Sequence, residues 1–261
     1  MSHPLNRSRQ KKCIPDIRLL LKAIQGVTFS LIVNLVVILL TINLSFASSS
    51  YKPDIMHLPD KTVERLSQYR RNLLITLAKG KEFIFSHEIA QLLHITPVQV
   101  RRDIMLIGYN GTLRKGYDVK ELIDLIGNII DTEEGQNVCI MGLGNLGKAI
   151  IKYFSGKRPK LKMVACFDTN EEKIGQLYAG IPVVHADELA ERVKSMNISI
   201  GIITVPFDKA NETADLLVNA GIKGIFNFSS KPLNLPNHVY LEEYDMITSL
   251  EKVAYHTKER E

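Results

Sequence analysis

Residues 138–147 read Val-Cys-Ile-Met-Gly-Leu-Gly-Asn-Leu-Gly. An apolar run enters Gly142, Gly144 and Gly147, and a helix-like segment follows from Lys148. The first glycine permits a tight turn, the second lets backbone approach a pyrophosphate, and the third lets helix pack closely on strand. Leu143, Asn145 and Leu146 fill the positions between, where backbone N–H groups at a helix start would meet phosphate oxygens. Asp168 ends the next apolar run, 21 positions after Gly147. A carboxylate there would take the hydroxyls of an adenosine ribose. Thr169-Asn170 follow it, with no arginine placed for a 2′-phosphate, which a carboxylate would also repel. These residues predict NAD(H) rather than NADP(H). The plainer alternative, a glycine turn that serves packing alone, leaves Asp168 without a role.

A second set of residues suits a different anion. Gln99, Arg101 and Arg102 lie near the start of a predicted helix that opens on Thr96-Pro97, a cap followed by proline at the first helical position. Val100, Ile104 and Ile107 would face inward from it. Arg pairs with guanine, Gln with adenine, and both with phosphate, so this end of the helix reads as a major-groove reader. A solvated basic face is the bland alternative. Arg114 and Lys115 follow an Asn110-Gly111 hairpin signal and would sit on a wing that touches phosphate or the minor groove.

Positioning these residues requires helices before them. Residues 61–79 carry Val63, Leu66, Leu73, Leu74 and Leu77 at spacings of mostly three and four, with Tyr69 between, and Gly80 ends that helix. Ser86 is expected to cap a short second helix through Leu93, with His94-Ile95 as the turn. Together these make a winged helix-turn-helix over 56–120. From 121 to 244 strands and helices alternate. Residues 181–185 and 198–204 read as strands, 186–196 and 208–220 as helices, and 225–228 as the last strand. This predicts a Rossmann-like parallel sheet with helices on both faces. Thr204, Val205 and Pro206, at a strand's carboxyl end, and residues 227–229 would lie near the nicotinamide half. The tail, 245–261, has Ile247, Leu250, Val253 and Ala254 at helical spacing.

The chain has 261 residues, net charge +5 and three cysteines, Cys13, Cys139 and Cys166. Their spacing suits neither a metal nor a disulfide framework, which fits a reducing cytoplasm. Residues 1–55 hold seven Lys/Arg against two Asp/Glu and 56–120 eleven against six, leaving 121–261 at −5. A basic module ahead of an acidic one points to a nucleic-acid partner for the first. Residues 23–47 form a largely apolar stretch long enough to span a bilayer, and Ser45-Phe46-Ala47 resembles a cleavage site. Basic residues before it would place the rest of the chain outside, at odds with DNA and dinucleotide chemistry. The expectation is that the working chain begins near Met56 and that 1–55 is a start-site artefact, with a membrane segment as the alternative.

From Leu58 onward the chain resembles the Rex family of bacterial redox-sensing repressors. The stretches that carry the resemblance are 58–66 (Leu-Pro-Asp-Lys-Thr-Val-Glu-Arg-Leu), 99–103 (Gln-Val-Arg-Arg-Asp), Gly116-Tyr117, 142–147, Phe167-Asp168 with Lys173-Ile-Gly175, 203–206 (Ile-Thr-Val-Pro) and 221–228. The resemblance implies a homodimer on a palindromic operator, with NADH lowering DNA affinity. It also implies a tail helix swapped across the dimer and a switch built from Arg65, Asp245 and Tyr153. The wing departs from the family pattern: Gly111-Thr-Leu-Arg-Lys-Gly-Tyr117 has Arg114 where a glycine is usual, and Leu106-Ile107 replace Tyr-Phe. The rival readings are an NAD-dependent dehydrogenase, a CoA-binding protein and a membrane-tethered regulator. The dehydrogenase lacks an evident acid or base: His185 follows a strand and His256 lies in the tail helix.

Overall fold

A computed structural model describes residues 58–258, Leu113 excepted. The apolar stretch 23–47, Cys13 and Met56 lie outside the described residues. Among the described residues no helix is long and apolar enough to cross a membrane.

The N-terminal part is helical. α1 (Asp60–Ala78) buries Leu66, Tyr69 and Leu73 along one stripe, as its spacing requires. β1 (Phe83–Ile84) leads into α2 (Ser86–Leu93). Ser86 is the first helical residue, not the cap. Phe85 precedes it, and the Glu88 carboxylate accepts the Phe85 N–H at 3.0 Å. The expectation failed because a carboxylate three residues into the helix caps from inside. His94 closes α2 in the left-handed conformation at φ 54°, and α3 (Pro97–Leu106) begins after Thr96, whose Oγ1 accepts the Gln99 N–H. Val100, Ile104 and Ile107 are buried.

The wing comes next. Thr112 and Gly116 exchange two backbone hydrogen bonds of 2.8 Å, so Arg114 and Lys115 are in the turn and Asn110-Gly111 are not. Gly111 is required for packing instead: a Cβ there would stand 2.6 Å from the Gly116 carbonyl. β2 (Tyr117–Asp118) pairs antiparallel with β1. α4 (Val119–Ile130) then packs on α1, burying Leu122 and Ile126. Arg70 of α1 clamps Asp131 at its end with bonds of 2.5 and 3.0 Å. α4 thus packs with the helices that precede it.

The remainder is a seven-stranded sheet: β3 (Gln136–Met141), β4 (Leu161–Asp168), β5 (Leu177–Tyr178), β6 (Ile181–His185), β7 (Ile198–Ile203), β8 (Gly224–Asn227) and β9 (Tyr240–Glu243) in the order β5-β6-β4-β3-β7-β8-β9. All pairings are parallel except β5 with β6. β8 is not the last strand, as its pattern predicts; β9 adds a further one at the edge. α5 (Asn145–Phe154) packs Ile150 and Ile151 on one face. α6 (Leu189–Ser195) and α7 (Ala210–Asn219) pack Leu189, Val193, Ala214 and Leu217 on the other. The chain runs outward from β3 to β4 and later returns to β7 on β3's other side. That reversal opens a crevice at the carboxyl ends of β3 and β7. α8 (Met246–Lys258) ends the described chain.

Candidate dinucleotide site and nucleic-acid interface

The crevice is built by the first glycine turn. Gly142 leaves β3 at φ 96°, and its N–H donates to the Phe167 carbonyl of β4 at 2.8 Å. From the other side, Thr204 staples the turn: its hydroxyl lies 3.0 Å from the Met141 carbonyl and 2.7 Å from the Gly142 carbonyl. Gly147 sits against this turn so tightly that a Cβ would stand 2.2 Å from the Gly142 oxygen. Gly144 is different: a Cβ there meets no atom within 4 Å. It caps α5 without any side-chain hydrogen bond, so the first N–H groups of α5 lack a side-chain acceptor. Open space before uncapped N–H groups at a positive helix end is what a pyrophosphate needs. The residues present fit a dinucleotide on this ground.

Asp168 stands at the end of β4 with its side chain 10% exposed. Oδ2 accepts the Leu143 N–H at 2.7 Å and Lys173 Nζ at 2.8 Å, and Oδ1 accepts the Asn170 N–H at 2.9 Å. Burial alone would raise its pKa, but these donors outweigh it and hold the carboxyl below its ordinary value. It is thus an ionised acceptor bound to the glycine turn. Lys173 is the partner that spacing alone did not single out. Val205 and Pro206 continue from Thr204 over the crevice, with Val205 Cγ1 3.0 Å from where a Gly142 Cβ would stand. Asn227 is buried; its Oδ1 accepts from the Ser229 backbone and hydroxyl, and its Nδ2 donates to the Lys231 carbonyl and Glu243.

On the helical part, Gln99 is half-buried and Arg101, Arg102, Arg114 and Lys115 are exposed. Arg101 Nη1 donates to Ser86 Oγ at 3.1 Å, and Lys115 Nζ lies 5.1 Å from the Phe83 ring centre. The recognition-type helix and the wing therefore present their cations outward.

Arg65 and Asp245, joined in the sequence reading, have different partners within the chain. Arg65 grips Asp103 of α3 through Nε at 2.6 Å and Nη2 at 2.8 Å. Tyr69 donates to the same carboxylate at 2.7 Å and Gln99 Nε2 at 2.8 Å. Asp245 caps α8, accepting the Ile247 N–H at 2.9 Å and the Thr248 hydroxyl at 2.6 Å. Tyr153 is exposed, with Lys157 Nζ 3.3 Å from its ring centre. Asp103 is the hub the sequence reading missed. Its signal was there: Arg65 and Tyr69, and Gln99 and Asp103, are each four residues apart on one helical face. A second omission is Arg158, after α5, which donates to Ser67 of α1 at 2.8 Å.

Cys139 and Cys166 are buried, and burial pushes both thiols up to about 12. Neither is a ready thiolate. Among the described residues no group of His, Cys, Asp and Glu could hold a metal ion. His185 orders its own turn, its Nδ1 accepting the Asp187 N–H at 3.2 Å.

Comparison with known proteins bears on both halves. A family model for a putative DNA-binding protein N-terminus matches residues 57–104, and one for a CoA binding domain matches 132–231. The redox-sensing transcriptional repressor Rex of Geobacillus kaustophilus is 37% identical over 201 residues, 77% of this chain and 94% of that protein. The protein of the same name from Lactobacillus acidophilus is 34% identical over 198 residues, 76% of this chain and 94% of its own. A crystal structure of RSP in complex with β-NAD⁺ and operator DNA superposes with a TM-score of 0.72 at 33% identity, covering 77% of this chain and 93% of that one. RSP in complex with β-NADH gives 0.69 at 32%, covering 78% and 95%.

Proposed function

The chain belongs to the Rex family of redox-sensing transcriptional repressors, and from that premise we propose that it binds operator DNA with one half and reads NAD(H) with the other. The observation that carries the proposal is the position of α1. Arg65 and Tyr69 of α1 hold α3 through Asp103. Ser67, between them, receives Arg158 from the segment after α5. One helix thus touches both the recognition-type helix and the segment that follows α5.

Gly142, Leu143, Gly144, Asn145, Leu146 and Gly147 supply the turn and helix start for the pyrophosphate. Asp168 supplies the ribose acceptor. Thr204, Val205 and Pro206 line the nicotinamide side. Asp168 also argues against coenzyme A despite the matching family model, because an ionised carboxylate beside the ribose repels a ribose phosphate. Gln99, Arg101, Arg102, Arg114 and Lys115 face the DNA. The nicotinamide ring, cationic when oxidised and neutral when reduced, supplies the difference to be sensed. A chain with two arrangements responds only if they bind the two forms unequally.

The operator is palindromic and the protein a homodimer. α8 supports this: Ile247, Leu250 and Val253 are 62%, 69% and 59% exposed, an apolar stripe left open among the described residues. Seated on a partner subunit, α8 would bring Asp245 to the partner's α1 and let it compete for Arg65. Tyr153 lies near this switch region. The protein acts in the cytoplasm, where DNA and the dinucleotide pool meet, and consumes neither. The dehydrogenase reading is set aside, since the relatives that span the chain are named repressors.

A gel-shift assay with duplexes enriched by the full chain tests the proposal. Specific binding, weakened by salt and released by NADH, is expected. Substrate-dependent NADH turnover without sequence-specific DNA binding would overturn it.

A further inference from the structure

We propose that Asp103 is a positioning residue that locks the Gln99 side-chain amide so that Gln99 reads adenine in the major groove. This rests on the repressor reading above. Asp103 lies in α3 with its side chain 2% exposed. Four donors converge on it: Arg65 Nε and Tyr69 Oη on Oδ2, and Arg65 Nη2 and Gln99 Nε2 on Oδ1. An ionised carboxylate only accepts hydrogen bonds. The Gln99 amide must therefore point its nitrogen inward, because turning it over would set Oε1 against Oδ1, two acceptors in contact. Partner chemistry thus settles an orientation that is often ambiguous for this side chain.

The locked amide has one N–H committed to Asp103. It keeps Oε1 and a second N–H for an external partner, an acceptor beside a donor. Adenine's major-groove edge is the complement, with the N6 amino donor beside the N7 acceptor. Guanine offers two acceptors there, O6 and N7, and would face Oε1 with O6. Gln99 is at the N-terminal end of α3, its own N–H held by Thr96, and side chains at that end of a recognition helix meet base edges. The same oxygen, Oδ1, also takes Arg65 Nη2, so loss of Arg65 from Asp103 would loosen the reader.

The test is selection of duplexes from a random pool by the full chain, followed by affinities for single base-pair variants of the selected site. The wild type should require adenine at one pair in each half-site. Gln99→Ala should lower affinity for the selected site by roughly 5- to 150-fold, the discrimination a bidentate pair provides, and erase the preference at that pair alone. Asp103→Asn should flatten the same pair and keep the others. If Asp103→Asn does not fold, Gln99→Glu carries the test: its carboxylate has no donor for Asp103 Oδ1 and only acceptors for a base, so the adenine preference at that pair should be erased. A Gln99→Ala loss equal for every duplex would mean a phosphate contact and overturn the assignment, as would unchanged affinity and preference. A Gln99→Glu protein that still selects adenine would do the same. A wild-type chain that enriches no duplex sinks the repressor reading, and this assignment with it.

Discussion

Two carboxylates, Asp103 and Asp168, organise the two halves, and both are held ionised against the cost of burial by several donors. For Asp168 the expected variant is Asp168→Ala. It removes the proposed ribose acceptor and leaves the Leu143 N–H without its partner. Calorimetry should show NADH affinity falling by about tenfold or more, the scale of losing a charged hydrogen bond. The ratio of NADPH to NADH affinity should rise, because the repelling charge is gone and Lys173 is released. An unchanged ratio would remove Asp168 from the choice of dinucleotide. For Asp103, burial pushes the pKa up, and the hydrogen bonds from Arg65, Tyr69 and Gln99 pull it further down, below its ordinary value. A depressed folded value means that the carboxylate stabilises the fold fully above the unfolded value of about 3.9. That stability is lost as the pH falls through the folded value. The gap in thermal midpoint between wild type and Asp103→Asn should therefore be wide at neutral pH and close below about pH 4. A gap that stays constant into acid would show that the ion pair contributes nothing through its charge.

The glycine turn separates two jobs that a motif match merges. Gly147→Ala would drive a Cβ to within 2.2 Å of the Gly142 oxygen, and should lower stability by about 1–3 kcal/mol or more along with NADH binding. Gly144→Val enters open space at φ −78° and should leave the melting temperature nearly unchanged while NADH binding is lost. If Gly144→Val binds NADH normally, the space before α5 is not the pyrophosphate site. This turn was legible in the sequence because spacing alone specifies it. So were α1 and α3, whose apolar stripes repeat at the helical period. β9 was not legible: Tyr-Leu-Glu-Glu is a short polar edge that pairs on one side, and nothing in its pattern differs from a loop. β1 and β2 are two residues each and exist only as each other's partners. The wing turn was displaced because Gly111 answers a steric demand from Gly116 and Tyr117 and not a turn geometry. For the Asp103 hub, spacing puts Arg65 with Tyr69 and Gln99 with Asp103 on shared helix faces, but joining the two faces needs α1 and α3 in their packed positions.

For the whole molecule, the proposed function makes the tail and α1 the parts that join sensing to binding. Asp245 is both a cap for α8 and the proposed rival of Asp103 for Arg65. Asp245→Asn keeps an acceptor for the Ile247 N–H and removes the charge. Its circular dichroism should match wild type, and NADH should release it from operator DNA less readily. A release curve identical to wild type would take Asp245 out of the switch.

One chain that couples a dinucleotide site to a DNA site must do so in both directions, because coupling of binding free energies is reciprocal. The direct measurement is the NADH affinity of the full chain, by calorimetry, with and without saturating operator duplex at fixed ionic strength. Operator should weaken NADH binding by the same factor by which NADH weakens operator binding, about 5- to 150-fold for an ordinary coupling energy. Equal NADH affinity with and without operator would contradict the coupling.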